Sequence, residues 1–140
     1  PSNTGTTSPP AATTAVAATG SCSARLGNAT LLNQSGNSTI TQDINLPAGM
    51  RNITVSATYR QYSDDTVFLT DRSECTITTT GGTLLTTIFA ARGNSTTFTT
   101  ATADITALGG TRVGLRCNSY QAGFDVSGVY VDDISVLASP

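Results

Sequence analysis

Apolar and polar positions alternate along most of this chain, and the alternation is clearest from Cys75 to Val136. Cys75-Thr-Ile-Thr, Arg112-Val-Gly-Leu-Arg-Cys117 and Val129-Tyr-Val-Asp-Asp-Ile-Ser-Val136 each set apolar or thiol side chains at every second position. A period of two belongs to a strand with one face buried. Cys75 and Ile77 share one face; Val113, Leu115 and Cys117 share another. If both faces look inward, the two cysteines meet across the core of a β-sandwich.

The same period recurs upstream. Cys22, Ala24 and Leu26 alternate with Ser21, Ser23 and Arg25; Ile40, Gln42, Ile44 and Leu46 alternate with Thr41, Asp43 and Asn45. Ile53, Val55, Ala57 and Tyr59 form the cleanest inward stripe. Pro47 to Arg51 makes a turn, Gly81-Gly82 joins Cys75–Thr80 to Leu84–Ala90 as a hairpin, and Gly109-Gly110 turns into the Val113 strand. Thr96 to Ile105 continues as strand. Asn28–Thr39, Gln61–Ser73 and Asn118–Ser127 are polar or Gly-punctuated and are expected as loops. No stretch carries the 3.6 period of an amphipathic helix. About eight short antiparallel strands in residues 20–140 predict an all-β jelly-roll sandwich.

Residues 1–19 differ in kind. They are Pro-, Thr- and Ala-rich, without charge or aromatic side chain. One reading is a flexible or O-glycosylated stalk. The other is an extended arm that docks by strand addition, with Thr14, Val16 and Ala18 facing one way.

Composition narrows the function. The chain has 140 residues, enough for one core. Charged residues are 11%, and there is no Lys, His or Trp. The net charge of -2 rests on scattered Arg and Asp and offers no basic footprint for nucleic acid. No apolar run approaches the ~20 residues of a membrane span. Asn-x-Ser/Thr occurs at Asn28, Asn33, Asn37, Asn52 and Asn94. In a chain this poor in charge, these predict a secreted, processed glycoprotein whose sugars supply hydration. Three cysteines fit an oxidising compartment and leave one over; Cys22 is a buried thiol, a partner for Cys75 or Cys117, or a link between subunits.

Catalytic chemistry finds little to stand on. With no His, a serine nucleophile lacks its usual base. Asp64-Asp65 and Asp132-Asp133 are adjacent carboxylates, best read as solvated loop and strand-end acids rather than a glycosidase pair. No Cys/Asp spacing suits zinc, and no Gly-rich loop precedes a helix. Tyr62, Tyr120 and Phe124 fall in the expected loops and form the candidate platform for stacking a sugar, with ordinary loop packing as the alternative.

Gly20–Leu26, Thr41–Gly49, Ile53–Arg60, Cys75-Thr-Ile-Thr, Leu115–Cys117 and Tyr130–Val136 together resemble the jelly-roll, galactose-binding-like carbohydrate-binding modules, in the versions common in fungal secreted proteins. The resemblance covers residues 20–137. It implies a Cys75–Cys117 bridge and, weakly, a structural calcium at Asp132 or Asp133, a strand-end bulge held by hydrogen bonds being the other account of those acids. Such modules usually open with an aromatic-bearing segment that is absent here. A sandwich short of its first strand leaves an open edge. The expectation is therefore a non-enzymatic extracellular subunit. Its arm fills the edge of the next identical subunit, head to tail, in a filament similar in principle to donor-strand-linked surface fibres. The alternative is a carbohydrate-binding module of a larger secreted protein, with residues 1–19 as linker.

Overall fold

The computed structural model describes residues 9–28, 35–64, 71–122 and 126–140, together with the backbone of residues 2–5. Among the described residues are ten strands: β1 (Ser2–Gly5), β2 (Ala11–Thr13), β3 (Ser23–Gly27), β4 (Gly36–Asn45), β5 (Asn52–Ser63), β6 (Arg72–Thr79), β7 (Leu84–Ala91), β8 (Thr99–Asp104), β9 (Arg112–Gln121) and β10 (Ser127–Ser139). A short 3-10 turn spans Thr106–Leu108. Two five-stranded antiparallel sheets form, in the orders β1-β4-β9-β6-β7 and β2-β3-β10-β5-β8. Strands β3 to β10 alone give β4-β9-β6-β7 over β3-β10-β5-β8, the connectivity of an eight-stranded jelly roll. The all-β sandwich expected from the alternation is the fold.

The alternation places the core as anticipated. Ile53, Val55 and Ala57 of β5, Ile77 of β6, Val113 of β9 and Val129 of β10 are buried between the sheets. Tyr59 of one sheet stacks on Phe89 of the other, ring centroids 3.8 Å apart and 7° from parallel. This pair pins the layers together near β7 and β8, which lie against each other at one side of the sandwich.

Several expectations are corrected. Cys75 and Cys117 do form a disulfide, but they are direct neighbours on β6 and β9 of one sheet, Cα atoms 4.1 Å apart, and do not join the two layers. Both thiols face inward; same-face parity does not distinguish opposite sheets from adjacent strands. Strand β4 starts at Gly36, inside the expected Asn28–Thr39 loop, and buries Ser38 and Thr39. Strand β5 runs on to Ser63 and β9 to Gln121, so Tyr62 and Tyr120 are strand residues. Hydroxyl and amide side chains extend these strands without an apolar alternation to mark them, because partner strands satisfy their backbone.

The opening strand of the jelly roll is present but short. Strand β3 pairs with β10 only over Gly128–Val131, and β1 covers β4 only over Gly36–Thr39. The arm was expected to be extended through Thr14, Val16 and Ala18. Its strands are instead β1 and β2, ending at Thr13, and both pair with this chain's own sheets.

Candidate functional site

The sandwich is asymmetric. Beyond Thr39, the side of β4 away from β9 has no strand partner among the described residues. Beyond Val131, β10 likewise has only β5 beside it. Two backbone edges, Ile40–Asn45 and Ile134–Ser139, therefore border an open seam between the sheets. Ile40, Ile44 and Val136, half-buried, line it together with Leu115, Cys117 and the exposed Ile134, around a groove of about 240 Å³. It runs into a larger groove of about 510 Å³ that shares Ile40 and Ile134 and reaches Pro10, Ala12 and Ala24.

The arm meets the body at the head of this seam. Asp132 and Asp133 sit at a β-bulge between Asp132 and Ser135, with Asp133 at φ 45°, a left-handed conformation that Asp tolerates. Asp132 Oδ2 accepts the backbone N–H of Ala18 at 2.9 Å and of Thr19 at 3.3 Å. The Thr19 hydroxyl donates to Asp133 at 2.8 Å, and Ser23 Oγ donates to the Val16 carbonyl at 2.6 Å. The two acids are thus occupied as a hydrogen-bonded bulge. Residues 16–19 form a bent root, with Val16 and Ala18 half-buried and Thr14 exposed. Cys22, free, is exposed beside it rather than buried.

The two described members of the expected aromatic platform, Tyr62 and Tyr120, are not brought together. Tyr62 lies on the outer face of the β5 sheet, tilted against Tyr130 at 5.0 Å, with the Arg60 guanidinium 5.9 Å from the Tyr130 ring. Burial, and then Tyr130, push its phenol well above the usual tyrosine range. Tyr120, by contrast, is paired between Asn37 and Arg72 on the outer face of the other sheet. Strand parity puts the two on opposite sides of the sandwich, and Phe124 lies outside the described residues.

The sequons are presented unequally. Asn52 and Asn94 are exposed; Asn37 is half-buried on β4, its Oδ1 accepting Asn118 Nδ2 at 2.9 Å. Asn28 is fully buried, its backbone N–H donating to the Ser127 carbonyl at 2.9 Å and to Gln121 Oε1 at 3.2 Å. The fold as it stands does not offer that side chain to a sugar. Asn33 lies outside the described residues, as do Asp65 and Phe68 of the expected Gln61–Ser73 loop.

Two features went unnoticed in the sequence. One is a buried polar cluster around Asp71, which accepts Ala122 N–H at 2.6 Å and the Ser127 hydroxyl. The other is a polar groove of about 360 Å³ on the outer face of the β4 sheet, lined by Asn37, Thr39, Thr41, Asp43, Thr78 and Arg116. Outward hydroxyls on β4 were readable; that they form one concavity with Thr78 depends on sheet order. Asp43 also pairs with Arg112 at 3.1 Å, an exposed pair of little energetic weight.

No family model matches the chain, and no curated protein matches it either. Solved structures do. The structure of TmCBM61 in complex with β-1,4-galactotriose aligns with a TM-score of 0.68 at 12% identity, covering 99% of this chain and 88% of that one. The enzymatically active domain of bacteriophage CBA120 tailspike protein 4 aligns at 0.58 and 15% identity; 98% of this chain matches 19% of that one. The fold is a carbohydrate-binding-module-like β-sandwich. At such identities the likeness concerns fold alone. Among the described residues, no helix is long and apolar enough to cross a membrane.

Proposed function

We propose that this chain is a non-enzymatic, N-glycosylated extracellular structural subunit that joins copies of itself head to tail by exchanging N-terminal arms. The open seam between β4 and β10 carries this reading. Unpaired strand edges flanking apolar side chains are a template for an added strand. The arm already pairs at the outer edge of both sheets, which shows its sequence can add to a strand edge, and the same segment added to a neighbour's open seam would link subunits. A contact of this sort that does not close on itself builds a filament. The disulfide is consistent with an oxidising compartment, and Asn37, Asn52 and Asn94 are the described sequons with exposed or half-exposed side chains. Electron microscopy of the full glycosylated chain tests the reading. Fibres that vanish on deletion of residues 1–15 support it; dispersed globules at every concentration refute it.

The comparisons favour a second reading, carbohydrate binding, for which the likeness to TmCBM61 is the support. With the tyrosine platform divided between two faces, the polar groove around Arg116 is the better place for it, offering hydroxyls, a carboxylate and a guanidinium to sugar hydroxyls. Affinity electrophoresis against a panel of glycans, β-1,4-galactotriose included, tests it. Retention lost on Arg116→Ala supports the groove, and no retention by any glycan removes the reading.

A further inference from the structure

Resting on the self-assembly reading, we infer that the lower seam, between Ile40–Asn45 of β4 and Ile134–Ser139 of β10, is the seat for residues 9–15 of a second copy's arm. The shape of the vacancy specifies an occupant. Among the described residues neither wall has a strand partner on the side facing the seam, and extended peptide can satisfy such backbone along its whole length, whereas an acyl chain cannot. The groove of about 240 Å³ is lined mainly by apolar side chains, Ile40, Ile44, Leu115, Ile134 and Val136, with Gln42 among them. The arm carries only small, uncharged side chains over Pro9-Pro-Ala-Ala-Thr-Thr-Ala15.

The seam is also continuous with the place where this chain's own arm already lies. The larger groove, touched by Pro10, Ala11 and Ala12, opens into the lower seam at Ile40 and Ile134. Among the described residues the chain's own arm does not line the lower seam, and β2 stops at Thr13. Its root, held at Val16, Ala18 and Thr19, turns away at the bulge. A second copy's arm has no such constraint. Residues 9–15 span roughly 25 Å when extended and leave directly from the root, so they reach the seam of a second body packed against it.

Two populations in a Cys22→Ser background, one carrying Ala12→Cys and the other Ile44→Cys, provide the test. Mixed under mild oxidation, they should yield disulfide-linked dimers containing one chain of each kind. The control pair, Ala12→Cys with Thr102→Cys on the exposed outer face of β8, should not. Polymers that form without the Ala12–Ile44 link would overturn this seat while leaving self-assembly intact. Chains that stay monomeric at all concentrations would remove both. Ile134→Asp gives an independent reading, because the side chain is exposed and its loss spares the fold. It should abolish polymer at an unchanged melting temperature; polymers of undiminished length would also overturn the seat.

Discussion

Ala18 donates its backbone N–H to Asp132 Oδ2 at 2.9 Å, tying the root of the arm to a bulge 114 residues away in the sequence. Thr19 adds its own N–H to the same oxygen and its hydroxyl to Asp133. The Ser23 hydroxyl on the Val16 carbonyl is the root's other polar tie, and Val16, its only sizeable apolar residue, is only half-buried.

Asp132→Ala should therefore free the arm without unfolding the sandwich. Hydrogen bonds to a carboxylate contribute roughly 1.5–3 kcal/mol each at most, and less where partly exposed. Amide protection of Ala11–Thr19 should fall roughly tenfold or more, the factor that about 1.4 kcal/mol represents. The β5 and β9 amides should keep theirs. Hydrogen exchange by mass spectrometry separates the segments, and unchanged protection in the arm would show that its strand pairing alone holds it.

Asp71 joins three elements through its carboxylate. It accepts the backbone of Ala122 and the hydroxyl of Ser127, whose Oγ in turn takes Gln121 Nε2 at 2.8 Å. With Asp71, Gln121 and Ser127 all buried, Asp71→Ala takes the acceptor from the buried Ser127 hydroxyl and from the part-buried Ala122 N–H. The expected loss is about 3 kcal/mol in urea unfolding at neutral pH. Asp71→Asn should lose less, since it keeps an acceptor. Equal losses would mean the charge, not the acceptor, matters.

How much of this was legible follows from what alternation encodes. Ile53, Val55 and Ala57 report burial through side-chain character, so β5 and the core were readable. Tyr62 and Tyr120 were misplaced because Arg60-Gln-Tyr-Ser63 and Asn118-Ser-Tyr-Gln121 have no apolar face, although both are strand. The sequon at Asn28 specifies a chemical motif and says nothing of depth; Gln121 and Ser127, far away in sequence, bury it. The seam was anticipated as a missing strand. What opens it is a short one: β3 has five residues against the thirteen of β10, a mismatch visible only once the two are paired.

The Cys75–Cys117 bridge closes a loop across a sequence separation of 42 between strands that already pair. Its contribution should come mainly through the unfolded chain, about 4 kcal/mol in the chain-entropy treatment. The double variant Cys75→Ala/Cys117→Val should lower the urea midpoint accordingly and leave the sheet register intact. Thiol reductant should lower the midpoint of the parent chain and not of the variant. A parent midpoint indifferent to reductant, once reduction is verified by mass, would show that the ladder between β6 and β9 makes the bridge redundant.

Asp104 supplies the clearest pH dependence. Its Oδ1 accepts the Thr106 hydroxyl at 2.6 Å and the Thr106 N–H at 2.8 Å, and the side-chain bond, then the backbone bond, hold its carboxyl below the usual range. The same hydroxyl accepts the Ile53 N–H at 2.9 Å, so one side chain links the end of β8 to the start of β5. A carboxyl lowered in the folded state stabilises the fold above its unfolded pKa, and that contribution disappears as pH falls through the folded value. Thr106→Val removes the stronger of the two bonds. The Asp104 carboxyl should rise toward its ordinary value, as followed by its carbon resonance in an NMR titration. The variant should be less stable at pH 6, and the gap to the parent should narrow as the pH falls through the folded value, below which Asp104 no longer contributes. What persists there is the lost acceptor for Ile53, about 1 kcal/mol. A gap of constant size across that range would mean that Thr106 acts through Ile53 alone and that Asp104 contributes nothing.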